Sequence, residues 1–208
     1  MTATIRTDTL PAFLDGFARM HDGMRRDVAR LERVSAGPVD RAALLRWFRS
    51  FRAVLVHHHE REDTVVWPEL VRRDPSFAEP QAGLHVDHHV LDDALAAVES
   101  ALHDERDGDV HAASAALAAV LVEHLAREEA AAFPRLAACF TTEQWEEVER
   151  SFVKGTTVGH LAFEIPWVLD GLPAADVADM EARAPMPLRV LNRLVFGPRY
   201  ARIAAVVR

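Results

Sequence analysis

His57-His58-His59-Glu60-Arg61-Glu62-Asp63-Thr64-Val65-Val66-Trp67-Pro68 and Glu123-His124-Leu125-Ala126-Arg127-Glu128-Glu129-Ala130-Ala131-Ala132-Phe133-Pro134 share one spacing: HxxxE, then an apolar stretch, then a proline. On a helix, a step of four puts two side chains on one face, one turn apart. Two such imidazole–carboxylate pairs meeting in a helical core could hold two metal ions. The fold reading starts from that requirement.

The rest of the chain reads as helix. Half of its 208 residues are hydrophobic, with only 9 Gly and a single Tyr, and Ala, Leu, Val, Glu and Arg dominate. The length suits one domain with an appendage. A net charge of -8 with no basic block argues against a nucleic-acid partner. The lone Cys139 rules out an internal disulfide and suits a reducing compartment. Met1 to Asp8 is short and polar, unlike a signal peptide, and no apolar run approaches membrane-spanning length. A cytoplasmic location without membrane contact is therefore expected.

Caps and breakers divide the chain. Helix 1 is predicted from Asp8 or Thr9, with Pro11 in its first turn, to about Val34. Asp40 caps a second helix running through His58 to about Arg73, which Pro68 should kink or end. A third covers roughly Gln81 to His103, and a polar turn over 104–109 leads to a fourth from Val110 to Cys139. A fifth opens at Thr142; a short helix over Val158–Leu169 is broken by Pro166; two weaker stretches follow Ala174. The expected fold is all-α: an up-down-up-down four-helix bundle over residues 1–140, with a helical C-terminal extension over 141–208 packed on it.

Steps of three and four trace the core-facing seam of each helix. They give Leu14, Phe17, His21, Met24 and Val28 in the first helix, and Phe51, Leu55, His58, Glu62 and Val65 in the second. They give Leu84, His88, Leu91 and Leu95 in the third, and Leu117, Leu121, His124, Glu128 and Ala131 in the fourth. Each seam is apolar except for one histidine or one His–Glu pair. Burying these groups without partners costs several kcal/mol per charge. Divalent transition metals remove that cost by binding neutral imidazole and ionised carboxylate. Two imidazoles could serve each metal. Glu62 and Glu128 could bridge the pair, and a solvent-derived oxo or hydroxo bridge could leave one position open. Mixed N/O ligation suits iron, with manganese or zinc possible by ligand type alone.

These residues resemble the hemerythrin-like, HHE cation-binding family, over about residues 8–140. The pattern is His21, then His58 with Glu62, then His88, then His124 with Glu128. The resemblance implies a four-helix bundle with a di-iron centre in which the four histidines are terminal ligands and the glutamates bridge. Oxygen-carrying members have HxxxH on the third helix. His85 and His89 stand four apart, and Glu129 stands five after His124, so a shifted register could restore a five-histidine site. The seam favours His88, which leaves the site one histidine short and argues for oxygen activation over reversible carriage.

Several residues have plainer readings. His57 and His59 flank the seam and are expected at solvent or a helix boundary. His85, His89, Glu60, Asp63 and Glu129 are expected to be surface groups or hydrogen-bonding neighbours of the ligands, with Asp87 or Asp92 holding a ring. Trp47, Trp67 and Phe133 are expected in the core. His160 and Glu164 form a third HxxxE beyond the bundle, and His160 is a candidate extra ligand or proton relay. Three functions fit: a protein that binds or reacts with O2, peroxide or NO; a di-iron oxidase or oxygenase acting on a small organic molecule; or an iron- or oxygen-sensing module. The chain has no Glu-x-x-His, GxSxG, HExxH or phosphate-cradling Gly-rich loop. The ferritin-type oxygenases and common hydrolases are thereby disfavoured. The electron donor cannot be read from these residues.

Overall fold

Asp40 accepts a hydrogen bond from the Ala43 amide and opens α2 (Arg41–Arg61), the helix that carries the three consecutive histidines. The computed structural model describes residues 10–104, 109–153 and 156–208. The expected start of helix 1 at Asp8 or Thr9 lies outside those residues, as does most of the polar turn over 104–109. A 3-10 turn at Ala12–Leu14 leads into α1 (Asp15–Ser35).

Pro68 does not end the second helix. α2 passes through a π turn at Glu62–Val66 into α3 (Trp67–Arg73). Proline has no N–H to donate, and its ring collides with the carbonyl one turn back. The wider turn, in which the Trp67 amide reaches the Glu62 carbonyl, lets the helix run on past it. It also moves the seam by one residue. Val66, Trp67 and Leu70 are buried, whereas Val65 is only partly so.

A 3-10 turn at Pro75–Phe77 precedes α4 (Ala78–His103), and an Asp109 side-chain cap on the Ala112 amide opens α5 (Val110–Cys139). α4 lies along α2 and α5, and α5 along α1, so these long helices form a helical bundle. The remaining elements are α6 (Thr142–Val153), α7 (Val158–Leu169), α8 (Ala174–Arg183) and α9 (Met186–Leu191). A second π turn (Asn192–Phe196) then leads to α10 (Gly197–Ala204) and a closing 3-10 turn. Among the described residues there is no strand. Pro166 sits inside an unbroken α7, where it is buried with its neighbour Trp167. That burial offsets the lost hydrogen bond.

The core has two apolar clusters, and the polar seam residues lie between them. On one side are Met24, Phe51, Leu55, Leu91 and Leu121; on the other are Phe17, Val66, Trp67, Leu84 and Phe133. Each long helix passes from one cluster to the other through its own polar position.

The C-terminal elements complete the first cluster, supplying Phe163, Trp167, Tyr200, Ala204 and Val207. Trp167 donates to the buried Asp27 carboxylate at 2.7 Å, and the Arg26 guanidinium lies over its ring at 5.4 Å. Arg30 pairs with both Asp27 and Asp170, while Tyr200 donates to Asp170 at 2.9 Å. These bonds fasten α7 and α10 to α1.

The ring of Trp167 fits because residue 23 is glycine: a Cβ there would lie 2.8 Å from it. In a free helix Gly→Ala is favourable by up to about 1 kcal/mol. Here overpacking against a fully buried, rigid ring should dominate, and Gly23→Ala should destabilise the fold by about 1–3 kcal/mol. Thermal unfolding checks this. Adding Trp167→Phe, which removes the colliding atoms, should return part of the loss.

Candidate metal centre

α1 brings in His21, α2 and its π turn bring His58, His59 and Glu62, α4 brings His88, and α5 brings His124 and Glu128. All seven are buried, and His21, Glu62, His124 and Glu128 are fully so. Donor atoms of His21, His58, Glu62 and Glu128 lie within 4.8 Å of one another, as do those of His59, His88 and His124.

The carboxylates connect the two groups. Glu62 directs Oε1 to His58 Nε2 at 2.6 Å and Oε2 to His88 Nε2 at 3.5 Å. Glu128 directs Oε1 to His21 Nε2 at 3.4 Å and Oε2 to His124 Nε2 at 3.3 Å. Each carboxylate thus offers one oxygen to each imidazole group. Both Glu62 oxygens, both Glu128 oxygens, His59 Nε2, His88 Nε2 and His124 Nε2 are buried without a hydrogen-bond partner. Unsatisfied groups at this density are costly in a packed core. The chemistry of these donors, neutral nitrogens and anionic oxygens, fits divalent transition metals.

The outward ring nitrogens have carboxylate neighbours. His21 Nδ1 contacts Glu129 at 2.9 Å, and Arg25 donates to the same oxygen at 2.7 Å. His88 Nδ1 contacts Asp63 at 3.0 Å. His124 Nδ1 lies 3.5 Å from Asp87, which Arg127 also pairs with. Where Nδ1–H donates outward, as from His88 to Asp63, Nε2 is left as a lone pair aimed inward; His124 Nδ1 has no hydrogen-bond partner at its 3.5 Å separation from Asp87. Asp63 directly follows Glu62, and Glu129 directly follows Glu128. In both segments the first acid points into the core and the second holds a ring on a neighbouring helix.

The local electrostatics favour ligand protonation states for most of these groups. Burial, and then the neighbouring imidazoles, push His58 and His59 well below the usual histidine range. Burial also lowers His88, against the pull of Asp63. Burial and the Glu128 charge raise Glu62 well above a normal carboxyl. Burial opposes charge on Glu128, but His21 and His124 outweigh it and hold it well below. Glu62 and His21 are the exceptions: Glu62 is held toward its neutral form, and although burial disfavours charge on His21, Glu128 and Glu129 raise it to about 9.

Some expectations need correction. His59 is not at a boundary; it is buried, and its ring stacks on His88 with centroids 4.1 Å apart. A step of three from Leu55 along the seam reaches His58 and passes over His59. Stepping by four gives Leu55, His59, Glu62 and Val66, all buried. The fifth imidazole of the core therefore comes from α2, not from α4, where His85 and His89 are exposed. Asp87 turns its carboxylate to His124, and His85 meets Asp63 at 3.1 Å. His160 does not join the core donors; it lies against His57 and Glu164. His57 is half-buried rather than solvated.

A cavity of about 250 Å³ reaches this centre from the side. Phe17, Met20, His58 and Arg61 are among its lining residues, together with Phe152, Thr156, Leu161 and Glu164 from the C-terminal segment.

The model of the hemerythrin HHE cation-binding domain matches residues 12–136, more than half of the chain and all of the core donors. No curated protein and no solved structure gives a match. In the described residues no helix is long and apolar enough to cross a membrane. The chain belongs to the hemerythrin HHE cation-binding domain family.

Proposed function

We propose that the core holds two iron ions, one on His21 and His58 and the other on His59, His88 and His124, bridged by Glu62 and Glu128. The observation that carries this reading is the division of each buried carboxylate, one oxygen toward each imidazole group. When bound, such a pair of ions supplies redox chemistry toward a small oxygen or nitrogen species such as O2, peroxide or NO. The protein's part is to bind, orient and dry the centre. Glu129 and Asp63 keep the rings of His21 and His88 aimed inward. Phe17, with its ring 5.1 Å from His58, and the apolar clusters on both sides keep bulk water from the carboxylates.

The cavity beside His58 favours one second reading, oxidation of a small organic molecule. It is larger than a diatomic ligand needs. Ferrous-loaded protein exposed to O2 separates the two. A prompt optical change without any organic additive supports the first reading. A change that appears only with a bound organic molecule supports the second. Absence of stoichiometric metal overturns both.

Iron loading should reach about two ions per chain, by the precedent of carboxylate-bridged pairs in helical bundles. Glu128→Gln should abolish paired loading. His59→Ala should lower the count toward one; unchanged iron and spectrum would remove His59 from the ligand set. Glu129→Gln leaves the inner donors in place and should weaken metal affinity by about 10–100-fold.

Protons compete with the metal. At neutral pH His21 carries a proton that an incoming ion must displace, and burial beside Glu128 makes Glu62 hold its own proton more tightly than an ordinary carboxyl. Metal affinity should therefore rise with pH until about 9, where His21 loses its proton. Titrating metal into weakly buffered protein should acidify the solution near pH 7. A pH-independent affinity between 6 and 9 would contradict this.

A further inference from the structure

The third HxxxE of the sequence is folded much as the first. His160 Nε2 lies 2.6 Å from Glu164 Oε2, the same separation as His58 Nε2 from Glu62 Oε1. Thr157 caps α7 by accepting the His160 amide, which fixes the first turn from which His160 projects. α2 supplies a second imidazole: the His57 ring lies 4.3 Å from that of His160, centroid to centroid. One donor atom from each of His57, His160 and Glu164 falls within 4.8 Å of the other two. Moreover, His57 Nδ1, His160 Nε2 and Glu164 Oε2 are all buried atoms without a hydrogen-bond partner.

An ordinary helical ion pair accounts for only part of this. It explains why His160 meets Glu164, but not why a second imidazole is crowded against the same pair. Nor does Arg61 satisfy the cluster. Its nearest approach is 4.0 Å, to the other Glu164 oxygen, and its guanidinium is engaged by the Phe152 carbonyl and the Thr156 hydroxyl. Two imidazoles and one carboxylate are the protein ligands of a three-point site for a borderline divalent ion, with remaining positions left to water. The cluster is half-buried rather than sealed, so such positions are reachable.

We propose that His57, His160 and Glu164 form a separate mononuclear site for a divalent transition-metal ion of the zinc class, outside the bridged core. Glu164 also lines the cavity that His58 lines, which places this site beside the same cavity. The site shares no ligand with the bridged centre and does not depend on the reading of that centre.

Zinc supplies the test. Iron-loaded protein is dialysed against Zn2+, and iron and zinc are counted per chain on the same sample. The wild type should take up one zinc without losing iron, and X-ray absorption at the zinc edge should show imidazole nitrogen. His160→Ala and Glu164→Gln should each weaken that uptake by at least about tenfold, with iron content and helical circular dichroism unchanged. Equal zinc binding in the wild type and both variants overturns the proposal. So does zinc uptake matched only by iron loss. Should the chain bind no iron, the difference in zinc between wild type and variants still decides the question.

Discussion

Two carboxylates, Glu62 and Glu128, are buried completely and close enough to feel each other's charge. Few arrangements cost a fold more, because each anion loses its water and meets a like charge. The surrounding helices answer that constraint. Five imidazoles from α1, α2, α4 and α5 converge on the two acids, with an apolar cluster on either side of them. Residual electrostatics show the strain: one acid is driven toward its neutral form and the other toward its anion, with His21 drawn into a raised protonation state beside them. Bound cations would relieve all three at once.

The outer acids make this layer more than a collection of donors. Glu129 meets His21 across the α1–α5 contact, and Asp63 meets His88 across the contact of the π turn with α4. Each segment of sequence therefore fixes a ring it does not itself carry. On the rim Arg25 pairs with Glu129, and Arg127 pairs with Asp87, the acid beside His124, so at these two places a base follows the acid outward. Helix packing and ring orientation are set by the same contacts.

Most of this architecture could be read from spacing. The limits of α5 were visible from the polar turn that ends at Asp109 and the new helix that opens at Thr142, and the apolar steps through Leu84, His88, Leu91 and Leu95 placed His88 inside. Simple periodicity failed where the helix is not simple. At the π turn one residue is added, so the step from Glu62 to the next core residue is four, to Val66, and the assumption of three pointed to Val65. The choice of His58 over His59 failed for a related reason: both flank the line through Leu55 and Glu62, and both are buried. The tail was harder still. Its contribution to the core rests on long-range contacts such as Trp167 with Asp27, which no local pattern announces.

The π turn has a consequence for comparing chains. A regular helix through the same points would reach the buried Trp67 face with one residue fewer after Glu62. Relatives lacking the bulge should therefore differ by a one-residue deletion within the segment 62–66, between an aligned HxxxE and an aligned Trp-Pro. An ungapped alignment would keep core positions in register before that point and misplace them after it. The inserted residue is better understood as an adjustment to Pro68 than as loop variation, because the chain stays helical on both sides of it.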